Sequence, residues 1–121
     1  MTSEHLDLAK VMECYGGSPQ VLLKTLRRIN TTLPGDWALF MSSCEAGDSD
    51  MASVVAHRMA GTVAMIGADD FANFLRELSR TAKSKKSIPS PLLSRALKYY
   101  DEVMAELGAV VARFPLEAPA P

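Results

Sequence analysis

Leu22-Leu23-Lys24-Thr25-Leu26-Arg27-Arg28-Ile29-Asn30-Thr31-Thr32-Leu33-Pro34-Gly35-Asp36-Trp37-Ala38-Leu39-Phe40-Met41-Ser42-Ser43-Cys44 decides the fold class of this chain. Leu22, Leu26, Ile29, Leu33, Trp37, Phe40 and Cys44 recur at steps of three and four residues, an apolar stripe about six helical turns long. Pro34-Gly35 falls inside it. Proline removes one backbone hydrogen bond and crowds the preceding turn. The stripe nevertheless resumes in phase, which predicts one helix kinked near Thr32 or Leu33 rather than two helices. Ser18-Pro19 supplies its start, a capping hydroxyl followed by proline at the first helical position.

The rest of the chain reads the same way. A short helix is expected from Ser3 or Asp7 to Tyr15, ended by Gly16-Gly17. Ala46-Gly47-Asp48 stops the long helix and caps a third, which runs through His57 to about Gly67. Asp69 or Asp70 is expected to cap a fourth, with Phe71, Phe74, Leu75 and Leu78 inward and Asn73, Arg76, Glu77 and Arg80 outward. Lys83 to Pro89 reads as a basic connection, and Ser90-Pro91 repeats the cap-plus-proline signal. Leu93, Leu97, Tyr100, Met104, Leu107, Val111 and Phe114 form the last stripe, which Pro115 stops. No segment shows the alternation of a strand. The expected fold is all-α, an antiparallel up-down four-helix bundle with a short N-terminal helix capping one end. The domain spans residues 1–115, and the proline-rich tail of residues 116–121 is expected to be disordered.

Composition narrows the function classes. A chain of 121 residues makes one domain, and 48% hydrophobic with 22% charged residues suits a folded protein. A net charge of −1 provides no global pull toward nucleic acid or an anionic membrane. Two cysteines, Cys14 and Cys44, do not make a disulfide scaffold and suit a reducing cytoplasmic setting. No apolar run reaches the ~20 residues of a membrane span, and the N-terminus lacks signal-peptide character. His5, between Glu4 and Asp7, is expected to be solvated, Lys83, Lys85 and Lys86 to serve solubility, and Trp37 to pack in the core.

The stretch Ala56-His57-Arg58-Met59-Ala60-Gly61-Thr62-Val63-Ala64-Met65-Ile66-Gly67 carries the candidate chemistry. At ~100° per residue, Asp50, Ser53, Val54, Ala60, Gly61, Ala64 and Ala68 fall within about 60° of His57. Met51, Val55, Met59, Thr62 and Ile66 gather on the far side, where the core is expected, and Met51, Met59 and Met65 read as packing residues. His57 thus stands on a face of small and polar residues that a bulky partner could approach. Gly61 costs ~1 kcal/mol relative to alanine in a helix interior and needs a reason. Close helix packing is one; clearance for a phosphoryl group or a partner's loop is the other.

This stretch resembles the signature of histidine-containing phosphotransfer (HPt) domains: His, any residue, a large apolar residue, Lys, Gly, a small residue, and Leu-Gly or a near equivalent closing the helix. Met59, Gly61, Thr62 and Ile66-Gly67 fill the matching places. Leu6-Asp7-Leu8 leading to Tyr15-Gly16-Gly17-Ser18-Pro19 is similar to the family's opening, and the order of helices is similar throughout. The resemblance implies that His57 is the phosphoacceptor and that Ala60, Gly61 and Ala64 give access to it. The family's lysine is replaced by Ala60. Positive charge would then come from Arg58, about 100° around the helix, or from Arg76, and lysine installed at position 60 would be expected to restore it. Ser79 stands where the family has Glu or Gln, and its hydroxyl would orient the imidazole.

The resemblance implies a phosphocarrier rather than an autonomous enzyme. Imidazoles ordinarily titrate near ~6.5, so a nitrogen lone pair is available at cytosolic pH to attack an aspartyl phosphate. The partners implied are receiver domains of response regulators or of a hybrid sensor kinase, which supply the aspartate, a lysine and magnesium. The chain itself shows no metal constellation, nucleotide motif or ATP-binding part. No cofactor, nucleic acid or membrane contact is expected, and a monomer is the simpler expectation. Two alternatives stand beside this reading: an HPt-like scaffold without efficient transfer, and an unrelated bundle binding a metal or small ligand.

Overall fold

The computed structural model describes residues 5–14 and 16–113 of the chain. It is all-helical, with helices α1 (Leu8–Cys14), α2 (Pro19–Glu45), α3 (Ser49–Ala64), α4 (Asp69–Lys85) and α5 (Ser90–Arg113) and no strand among the described residues. The most extensive contact joins α3 to α4; α2 packs on α3 and α5, α4 on α5, and α1 on α2. Tyr15, Phe114 and the tail of residues 116–121 lie outside the described residues.

The long helix is continuous through Pro34, as the unbroken phase of its stripe requires. Leu22, Leu26, Ile29, Leu33, Trp37 and Phe40 are buried, while Cys44 is half-buried against the core. Fully burying Phe40, or Phe71 on α4, is worth about 2–3 kcal/mol each. The Trp37 ring stacks on Tyr100 of α5 at 4.5 Å between centroids, tying α2 to α5. The Ser18 hydroxyl accepts from the Val21 amide at 3.4 Å, and the Asp48 carboxylate accepts from Met51 at 3.1 Å. Asp7 does the same for α1, accepting from Lys10 at 3.1 Å.

Several sequence expectations need correction. Neither Asp69 nor Asp70 caps α4: the cap position is Ala68, without a side-chain bond. Asp69 is instead paired with Lys10 at 2.8 Å, and both acids sit in the first turn, where the helix dipole favours negative charge. The basic stretch after Thr81 is not all connection. Helix α4 persists to Lys85 because Ala82 is buried and lysines suit a helix C-terminus, and Lys86 in the left-handed region (φ 61°) ends it. Ser90 begins α5 rather than preceding it, with the Pro89 carbonyl accepting from Leu92 and Leu93. Helix α5 buries Ala96, Val103, Leu107 and Val110, which leaves Leu97 exposed.

His5 is not solvated. Its Nε2 lies 2.9 Å from Glu102 Oε1, its amide donates to Glu106 at 2.8 Å, and its ring meets Tyr99 edge-on. The error came from reading only sequence neighbours; the partners come from the far end of the chain. This N-terminal segment also crosses the turn between α3 and α4. Gly67 there has φ 78°, and a Cβ at this position would lie 2.7 Å from the Asp7 amide nitrogen and carbonyl oxygen. Glycine is required on both counts, the positive φ and the backbone crossing.

Gly67→Ala is expected to lower stability by about 3 kcal/mol, combining left-handed strain with overpacking against backbone that has little room to move. Urea unfolding checks this, and a loss below about 1 kcal/mol would show that the Asp7 crossing gives way easily.

Candidate functional site

Helix α3 presents its histidine by burying a wide arc elsewhere. Ala52, Ser53, Val55, Ala56, Met59, Ala60 and Val63 are buried, because α3 contacts both α2 and α4. His57 falls just outside this arc, at the ninth of sixteen helical positions, and is exposed. Its imidazole makes no hydrogen bond or ion pair with any of the described residues. Around it stand Asp50, Arg58 and Gly61, all exposed, and the apolar side chains of Val54 (57% exposed) and Met65 (50%). Ala64 is half-buried.

The far side of α3 follows its sequence reading in part: Val55, Met59 and Ile66 are buried. Met51 is exposed and Thr62 half-buried, so neither belongs to the core, and Met65 is not a packing residue. The arc is turned toward Ala52, Ala56 and Ala60 because α4 lies close on that side. A pair of serines bonds the two helices to each other there. The Ser53 hydroxyl lies 2.9 Å from the Ser79 carbonyl oxygen and 3.0 Å from its hydroxyl, and the Ser79 hydroxyl donates to the Ser53 carbonyl at 2.8 Å. These bonds satisfy two hydroxyls inside the helix contact, where unpaired ones would be costly.

Two of the expected supporting roles change accordingly. The Ser79 hydroxyl is engaged with Ser53 and does not orient the imidazole. Ala60 is 1% exposed and packs in the seam, so it gives His57 no open flank. Gly61 loses its packing explanation: a Cβ there would meet nothing within 4 Å. The two candidate cations also separate. Arg58 Nη2 is paired with Asp36 Oδ1 of α2 at 2.9 Å, so its charge is countered by a carboxylate. Arg76 Nη1 donates to Asn73 Oδ1 at 2.9 Å, a neutral partner, and Arg76 has no carboxylate partner among the described residues.

Comparison with known protein families, with curated proteins and with solved structures finds no match to this chain. The site therefore stands on its own geometry. An apolar groove of about 380 Å³ lies elsewhere, lined by Leu8, Met12, Pro19, Leu22, Leu26 and Val110 of α1, α2 and α5. No cluster of three or more His, Cys, Asp or Glu residues able to hold a metal ion occurs among the described residues. None of the described helices is long and apolar enough to cross a membrane. Cys44 is no rival nucleophile, because burial pushes its thiol pKa up and keeps it protonated.

Sequence reasoning missed the Ser53–Ser79 pair and the role of Asp36. The first had a legible signal: the two serines lie nearly symmetrically about the 65–68 turn. The second had none, since pairing of Asp36 with Arg58 depends on the α2–α3 register.

Two substitutions beside His57 should act in opposite directions. Gly61→Ala is expected to raise stability by about 0.5–1 kcal/mol, since the position is helical and its Cβ space is open. Ala60→Lys is expected to lower it by about 2 kcal/mol, because the stem must force its way through the seam before any charge reaches His57. Chemical denaturation of both variants decides. A destabilised Gly61→Ala, or a neutral Ala60→Lys, would contradict the burial described.

Proposed function

We propose that this chain is a histidine-containing phosphotransfer domain that relays a phosphoryl group between receiver-domain aspartates through His57. The observation carrying the reading is His57 itself: an exposed mid-helix imidazole without a partner among the described residues, beside a glycine whose open space no packing explains. Exposed Val54 and Met65 add an apolar rim of the kind a transient protein partner covers. The proposal includes an antiparallel up-down arrangement of α2 to α5 with α1 as a cap. The connections 46–48, 65–68 and 86–89 support it, since short links favour antiparallel neighbours.

In this reading the exposure of His57 is an advantage. The partner brings the other half of the reaction, with its aspartyl phosphate, lysine and magnesium, and the bundle brings a nucleophile. A ring nitrogen of neutral His57 attacks the phosphorus of the aspartyl phosphate. A P–N bond forms and the P–O bond to the aspartate breaks, its electron pair leaving with the carboxylate. The other ring nitrogen keeps its proton, so the two negative charges of the acyl phosphate end as one on the carboxylate and one net on the phosphoimidazolium. Transfer to a second aspartate reverses these steps. Phosphoryl transfer depends mainly on positioning and charge neutralisation, so little else is asked of the carrier. The setting proposed is cytoplasmic, as a monomer that is either free-standing or a module of a hybrid kinase.

The reading is tested by incubating the protein with a panel of phosphorylated receiver domains. An acid-labile, alkali-stable phosphate is expected on wild type and not on His57→Gln. A folded wild type that binds receivers yet accepts no phosphate from any of them would overturn the relay in favour of a receiver-binding scaffold.

A further inference from the structure

We propose that Arg76, reaching from α4 across the seam, is the cation that neutralises the phosphoryl group on His57. This inference rests on the phosphocarrier reading of His57.

The seam fixes the relative placement of the two residues. Ser53 and Ser79 mark where α3 and α4 face each other. On α3, the buried Ala56 and Ala60 lie about 60° and 20° to one side of Ser53, and His57 lies about 40° to the other. On α4, the buried Leu75, Leu78 and Ala82 lie about 40–100° to one side of Ser79, and Arg76 lies about 60° to the other. Both residues therefore leave the seam on its solvent side. In antiparallel helices the levels also match. His57 stands four residues beyond Ser53 and Arg76 three before Ser79, within one residue rise, about 1.5 Å, of the same height. With axes at the close end of the usual range, about 8 Å, Cα atoms on the facing sides stand closer still, each about 2.3 Å off its own axis, and an arginine side chain spans that gap.

The charge inventory around His57 selects the same residue. Position 60 is occupied by a buried alanine, so α3 offers no cation one turn after His57. Arg58 is held by Asp36 on the opposite flank. Arg76 is half-buried at the seam and spends one N–H on a neutral amide, an interaction easily exchanged for a phosphoryl oxygen. Its planar fork suits two phosphoryl oxygens at once, and the charge it offers needs no deprotonated partner nearby.

The test uses potassium phosphoramidate, a small donor that loads histidine directly, releasing ammonia as its P–N bond is replaced by the one to His57. Wild type, Arg76→Gln, Arg76→Lys, Arg58→Gln and His57→Gln are compared for loading rate by mass spectrometry. The phosphoryl group of each loaded protein is titrated by phosphorus NMR. Arg76→Gln is expected to load about tenfold more slowly and to raise the pH at which the phosphoryl group becomes a dianion. Arg76→Lys should recover part of both effects, and Arg58→Gln should match wild type. Equal rates and titrations for wild type and Arg76→Gln would overturn the proposal, as would absence of label at His57 in the folded wild type. An Arg76 effect with phosphoramidate, joined to failure of every receiver, would keep this inference and sink the relay.

Discussion

The reciprocal hydrogen bonds between Ser53 and Ser79 tie α3 to α4 within the most extensive helix contact of the described structure. Close approach draws Ala56 and Ala60 into the core and rotates the buried arc of α3 toward α4. His57, one step beyond that arc, is left on the outer rim. Met51 and Met65 are turned out with it, though their apolar character alone would have placed them inside. A larger residue at position 53 or 79 would push the helices apart and lose both hydroxyl pairings. Exposure of the histidine thus follows from packing on the flank next to it.

The elements of this fold were legible because helices advertise themselves through stripes and caps. Ser18-Pro19, Ala46-Gly47-Asp48 and the glycine at 67 sit where the chain turns, and the α2 stripe kept its phase through Pro34. What could not be read were quantities set by neighbours. Phase predicts that a helix has an apolar side, but the width of the buried arc depends on how many helices it touches, and α3 touches two. That is why Ala60, adjacent to the histidine on a helical wheel, is buried while Met51 is not. His57 itself was found correctly as an exposed group. Its supporting residues were not, because Ser79 and Arg58 each have partners, Ser53 and Asp36, that no local pattern announces.

Stability and availability are opposed around this histidine. Gly61 weakens its helix and keeps a space that nothing in the described structure fills. Val54 and Met65 keep apolar area in water that folding alone would hide. Single exposed hydrophobics are ordinary, but their concentration on the histidine's side of one helix, beside that glycine, is not. The bundle itself is secured elsewhere, by Leu33, Phe40, Phe71 and Leu107 in the core and by the aromatic stack of Trp37 on Tyr100.

The N-terminal segment has a different kind of dependence. The amides of His5 and Leu6 are held by Glu106, a carboxylate about a hundred positions later, and Asp7 lies on the turn that follows α3. Closing so long a loop carries an entropic cost that only an assembled platform can repay. During synthesis, this segment is made before α5 and must wait for that helix before it can settle. Glu106 thus makes completion of the fold contingent on arrival of α5, and the segment just before α1 serves as its closing latch.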